Sequence, residues 1–256
     1  TLSGGIPNNP GTIYGLGLEN GDPKLKQVTF TTDYNNLGSI IATNVTINDD
    51  VTLTTGGIAG TDFDGKITLG SINGNANVKF VDRTFSHPTS MIVSTKANQG
   101  TVTYLGSALV GNIGSSDIPV ASVRFTGNDS GVGLQGNIHS QNIDFGTYNL
   151  TILNSDVILG GGTTAINGEI DLLTNNLIFA NGTSTWGNNT SLSTTLNVSN
   201  GNVGQIVIAE GAQVNATTTG TTTIKIQDNA NANFSGTQTY TLIQGGARFN
   251  GTLGAP

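Results

Sequence analysis

Short runs with every second residue apolar recur along the whole chain. Examples are Val45-Thr46-Ile47, Val51-Thr52-Leu53, Leu150-Thr151-Ile152, Ile170-Asp171-Leu172, Ile224-Lys225-Ile226 and Tyr240-Thr241-Leu242. A period of two predicts strands with one face buried, because successive side chains of a strand point to opposite sides. Asn, Gly or Asp follows each run within a few residues. Six Asn-Gly dipeptides, at Asn20, Asn73, Asn167, Asn181, Asn200 and Asn250, mark tight turns, since both residue types tolerate left-handed backbone. No stretch of a dozen residues carries a helical period.

The runs belong to degenerate repeats. A Gly-x-Ile/Val element opens strands at Gly65, Gly100, Gly111, Gly136, Gly168 and Gly204. A second element, aliphatic-x-Phe, ends at Phe30, Phe80, Phe125 and Phe145. The spacings are near 20–25 residues or twice that, which is the mark of a solenoid. A β-sandwich gives similar strand lengths. A parallel β-helix accounts better for irregular turns on one coarse period, and for abundant Asn and Thr able to stack from coil to coil. Charges are also too few to cover two broad solvated faces. This reading places Ile67, Val78, Phe80, Val123, Phe125, Ile138, Ile143, Phe145, Ile152, Ile170, Ile206, Ile208, Ile224, Ile226 and Leu242 inside. The expected organisation is one all-β unit, with an irregular start over 1–24 and coils over 25–256. Two excursions are expected. One is Arg83 to Asn98, bent at His87-Pro88. The other is Gly182 to Thr195, polar and irregular around Trp186.

Composition sharpens this. Gly, Thr and Asn supply 37, 38 and 31 of 256 residues, and charged residues are 10% against roughly 25% in an average domain. Helix formers that solvate a bundle are therefore missing. The net charge is −7, and the nine basic residues are scattered. That disfavours phosphate binding, so nucleic acid is not an expected partner. With no cysteine, disulfides, thiolate metal sites and a cysteine nucleophile are excluded.

Candidate chemistry is sparse. Asp49-Asp50 is the only adjacent carboxylate pair, and Asp62 and Asp64 form a near pair. Asp49-Asp50 reads more simply as a solvated turn, and Asp62-Phe63-Asp64-Gly65 as a turn whose Asp side chains cap backbone amides, than as acid/base or cation sites. His87 sits before Pro88, and His139 alternates outward. Only Arg83, Arg124 and Arg248 are available to hold acidic sugars. We expect no catalytic residue, no cofactor and no metal. Trp186 has two readings: an exposed partner-binding aromatic, or an anchor packed back on the rod.

The stretches Gly111–Gly114, Val123–Gly127, Gly136–Ile138 and Ile143–Gly146, with Gly236–Ile243, resemble autotransporter passengers of Gram-negative bacteria. From about Leu134 to Pro256 the chain is similar to the rickettsial surface-layer members. The resemblance implies a right-handed parallel β-helix on the outer face of the outer membrane, exported through its own C-terminal β-barrel. It implies a part in a surface layer, with lateral self-association, and in adhesion to and entry into host cells through a host-cell surface protein. Within that frame the Thr183–Thr194 segment around Trp186 is the first candidate for the binding loop. The competing class is a β-helical polysaccharide lyase or hydrolase.

Overall fold

The computed structural model describes residues 12–13, 18–19, 22–23, 25–37, 39–40, 42–55, 65–81, 85–105, 108–126, 131–187, 190–193, 204–210, 212–216, 219–220, 223–226, 231–242 and 248–253. Strands and turns account for them, and no helix occurs among the described residues. The chain divides into two compact units, Thr1–Asp129 with His139–Gln141, and Ser130–Ile138 with Asn142–Pro256.

In the first unit, strands Leu25–Phe30, Ala42–Ile47, Lys66–Leu69, Phe85–Ser94 and Ala108–Ile113 form one parallel ladder. Its register aligns Val28, Val45, Ile67, Ile92 and Ile113, so successive coils take 17, 22, 25 and 21 residues. A second parallel ladder runs through Tyr34–Leu37, Thr52–Thr55, Asn77–Phe80, Gln99–Tyr104 and Val120–Phe125. Neighbouring strands lie about 4.8 Å apart in such a ladder, so like positions fall on one another. Phe80, Tyr104 and Phe125 are stacked in this way, with ring centroids 5.9 and 5.7 Å apart.

Among the described residues the second unit shows three ladders. One aligns Leu159, Phe179, Ile208, Ile226 and Leu242, with coils of 20, 29, 18 and 16 residues. Another aligns Ile166, Trp186, Ala216 and Phe234, and the third Leu150, Ile170 and Leu192. Parallel strands returning in register, one coil later each time, make a β-helix and set aside the sandwich. The expected repeat of 20–25 residues is an average over coils of unequal length. The variation is absorbed at the corners, where insertion does not disturb the ladder.

The core lies where alternation put it. Ile67, Val78, Phe80, Val123, Phe125, Ile138, Ile143, Phe145, Ile152, Ile170, Ile206 and Ile208 are all buried. The side chains of Ile224, Ile226 and Leu242 lie outside the described part of the structure. Most of 1–24 lies outside it too; Leu18–Glu19 and Asp22–Pro23 form a short antiparallel pair. The Gly-x-Ile repeat has a packing cause. A Cβ on Gly168 would run into the Tyr148 carbonyl of the preceding coil, so only glycine admits this approach.

The excursion expected at His87-Pro88 is smaller than the sequence suggested. Phe85–Ser94 stays in the ladder, with Ser86 opposite Val110 and Met91 opposite Asn112. Residues 87–90 therefore form a bulge facing Gly111 alone.

Candidate functional site

Trp186 corrects the sequence reading most clearly. Thr183–Trp186 is a strand, paired in register with Thr163–Ile166 and Gln213–Ala216. Trp186 is only 3% exposed, 5.4 Å from the Phe179 ring, and its indole Nε1–H donates to Ser184 Oγ at 2.8 Å. It is an inward anchor of the stack, which was the second of its two readings. Ser191–Ser193 is again a strand, with Leu192 buried. So the Thr183–Thr194 segment is coil, not a projecting loop, over its described residues; 188–189 and 194 lie outside them.

The Asp49-Asp50 pair is a corner clasp. The Asp49 carboxylate accepts from Ser71 Oγ–H at 3.1 Å, Ile72 N–H at 3.0 Å and Asn73 N–H at 3.0 and 3.2 Å. Partial burial pushes its pKa up, but hydrogen bonds from Asn73, Ile72, Ser71 and Asn75 outweigh that and hold it below the ordinary value. Asp50 takes a left-handed φ of 63° and accepts from Asn75 Nδ2–H at 2.6 Å. These carboxylates tie one coil to the next.

Similar clasps recur in the second unit. Asn137 Oδ1 accepts from Ile158 N–H, Asn149 Oδ1 from Glu169 N–H, Asp156 Oδ1 from Asn176 N–H and Asn176 Oδ1 from Gln205 N–H. Asn thus caps corners from coil to coil, while Asn215, Asn233 and Asn250 stand in register as a like-on-like column, as do Thr29, Thr46 and Thr68. Asp62 and Asp64 lie outside the described residues, as do Arg83 and the side chains of His87 and Arg248. His139 is half-buried, and that burial lowers its pKa. Arg124 is exposed on its strand. Among the described residues no group of three or more His, Asp or Glu is gathered for a metal.

Two outward features are candidates for contact. The first is a flat apolar column in the second unit. Val157-Ile158-Leu159, Leu177-Ile178-Phe179 and Ile206-Val207-Ile208 stand in register, with the flanking members of each triplet buried. The middle residues Ile158, Ile178 and Val207 therefore point outward, one above another, and are partly exposed. Ala180 and Ala209 extend the face in the next outward row, and Asp156, Asn176 and Gln205 edge it with the hydrogen-bonded corner above. The uninterrupted apolar triplets at these positions were the sequence signal for this column.

The second feature is a ridge of stacked turns in the first unit, at 70–76, 95–98 and 114–119. Backbone bonds tie these turns to the ladder and to each other, including Thr95 N–H to the Leu69 carbonyl and Asn98 N–H to the Pro119 carbonyl. They expose Ile72 at 79% and Ile118 at 40%, among Ser, Asn and Asp.

All of residues 1–256 match the family model described as Rickettsia outer membrane protein B, passenger domain. The chain is 90% identical over 256 residues to outer membrane protein B of Rickettsia prowazekii (strain Madrid E), covering 100% of this chain and 16% of that protein. It is 80% identical over 256 residues to the Rickettsia conorii (strain Malish 7) protein and 78% over 261 to the Rickettsia japonica (strain YH) protein, with the same shares covered. The chain thus spans 16% of the length of these relatives. No solved structure matches it.

Proposed function

Because the chain belongs to the Rickettsia outer membrane protein B passenger-domain family, whose place is the bacterial outer surface, we propose that it is a surface-layer building block packing side by side with its own copies. The outward Ile158–Ile178–Val207 column carries this reading. Copies with a net charge of −7 repel one another, so a lateral contact is best made through apolar residues, and this column runs over three coils before Lys225 takes the next position in register. Three β-branched residues beside two alanines offer a flat, dry surface suited to self-complementary contact. Sedimentation across a concentration series tests it, comparing the chain with Ile178→Lys. The intact chain should associate and the variant should not, at unchanged circular dichroism. Equal behaviour of the two would remove this face as the contact.

A second role, adhesion to a host-cell surface protein as a step toward entry, is supported by the turn ridge. Exposed aliphatic residues on rigidly stacked turns suit a protein contact better than Trp186, which is inside. Beads coated with the chain should attach to host cells, and an Ile72→Ser, Ile118→Ser double variant should attach less. Attachment unchanged by the double variant would exclude the ridge. In the longer protein, this passenger would be carried by a C-terminal β-barrel. Membership of a passenger family, not an enzyme family, and carboxylates committed to corner clasps support a non-catalytic role. Turnover of polygalacturonate that is abolished by Asp49→Asn would favour the lyase alternative.

A further inference from the structure

The six Asn-Gly dipeptides mark turns, but they also carry chemistry. An asparagine followed by glycine can lose its side-chain amide to attack by its own backbone, at a rate set by the freedom of both groups. The structure separates three of the six. The residues at Asn20 and Asn200, and the side chain of Asn250, lie outside the described part.

We propose that Asn73 is a self-modification site of the folded chain, converting to aspartate and isoaspartate through a succinimide, while Asn167 and Asn181 are protected. In the reaction the Gly74 backbone nitrogen attacks Asn73 Cγ. The new C–N bond forms as the bond from Cγ to Nδ2 breaks, and ammonia leaves with the proton given up by the Gly74 nitrogen. Water then opens the five-membered ring at either carbonyl. No oxidant, reductant or other partner is required.

Asn73 sits at the tip of the 70–76 turn, exposed and next to Ile72. Among the described residues its carboxamide has no hydrogen-bond partner, and the Gly74 N–H donates to no acceptor. Gly74 holds a left-handed φ of 73° and is pressed against Gly70 and Ser94. Asp49 fixes the backbone on the other side by accepting the Asn73 N–H at 3.0 Å. The Asn73 carboxamide is thus free to turn toward the Gly74 nitrogen without first breaking a hydrogen bond of its own.

The other two differ. Asn181 is exposed, but its Oδ1 accepts from Gly161 N–H at 2.5 Å, so the carboxamide is tied to the preceding coil. Asn167 is half-buried, with its carboxamide lodged where a Gly187 side chain would otherwise sit, and its own N–H donates to the Gly146 carbonyl at 3.0 Å. Each must break a coil-to-coil contact before it can react.

Conversion at position 73 has a structural consequence. A new carboxylate appears beside Asp49, which already gathers the Ser71 hydroxyl and the Ile72 and Asn73 amides. The isoaspartyl product also inserts a methylene into the backbone between the Asp49-held amide and Gly74, where neighbouring atoms leave no room. The turn should unlatch from its clasp.

The experiment incubates the whole chain at mildly alkaline pH and body temperature. Conversion is followed by peptide mapping that distinguishes aspartate from isoaspartate at each site. Asn73 should convert at least about tenfold faster than Asn167 and Asn181 in the folded chain, the factor expected if one net hydrogen bond must break before attack. In urea the three rates should converge. Folded-state conversion of Asn167 or Asn181 as fast as that of Asn73 would overturn the proposal. So would an Asn73 that converts in urea but stays intact in the folded chain.

Discussion

Asp49 and Trp186 show what a single side chain contributes to a coil stack. Asp49 has a folded-state pKa below 3.8, so its unfolded form binds the proton more readily. Its stabilisation is therefore present above the unfolded value and is lost as pH falls through the folded value. Asp49→Asn should lower the urea midpoint at neutral pH. The gap from the parent chain should close as the solution is taken below pH 3.8. A gap that persists unchanged in acid would mean the clasp does not depend on the charge. Trp186→Ala should cost about 3–5 kcal/mol in urea unfolding, as expected for emptying a buried indole site. A cost near zero would put the ring back on the surface. The partners in neither contact were legible in the sequence. The partners of Asp49 lie 22–24 residues away, and nothing local marks them. In Thr183-Ser184-Thr185-Trp186 a single apolar residue gave alternation nothing to repeat against. The signal was the register with Ile166, which exists only once the coils are stacked.

Ladders hold the elements together. In the first unit Tyr104 is fully buried between Phe80 and Phe125, so each ring stabilises two coil boundaries. Tyr104→Leu keeps the apolar bulk but removes two aromatic contacts of about 0.5–1.5 kcal/mol each. It should lower stability measurably, while Thr103→Ala on the outward side should stay within about 0.5 kcal/mol of the parent. A larger loss at Thr103 would reverse the assignment of faces. Faces were the most legible property: period-two alternation, the Gly-x-Ile element and the aliphatic-x-Phe element each point inward in the described strands. Coil length was legible only as an average. Corners between 16 and 29 residues apart vary without breaking the ladder, so no fixed repeat had to be kept in the chain. The apolar column shows the same limit. Each triplet was visible, but that Ile158, Ile178 and Val207 share one outward line follows from strand pairing.

At the scale of the whole molecule, both units are built on one rule: parallel strands in fixed register, with apolar residues inside and contact surfaces outside. The proposed lateral face and the turn ridge both exist only if those registers hold. Absence of cysteine permits a direct test, because any disulfide formed must come from residues placed there. Thr46 pairs with Thr68 in the first unit, and Thr163 with Thr183 in the second. In-register neighbours stand about 4.8 Å apart, within disulfide reach, whereas partners displaced by two residues lie about 7–8 Å apart and fall at or beyond its limit. Double cysteine variants at each in-register pair should close an internal disulfide under mild oxidation, seen as a two-hydrogen mass loss in the monomer. The displaced pair Thr46→Cys with Lys66→Cys should stay reduced. Closure of the displaced pair as readily as of the in-register pairs, or no closure of the latter, would contradict the stacked-coil account.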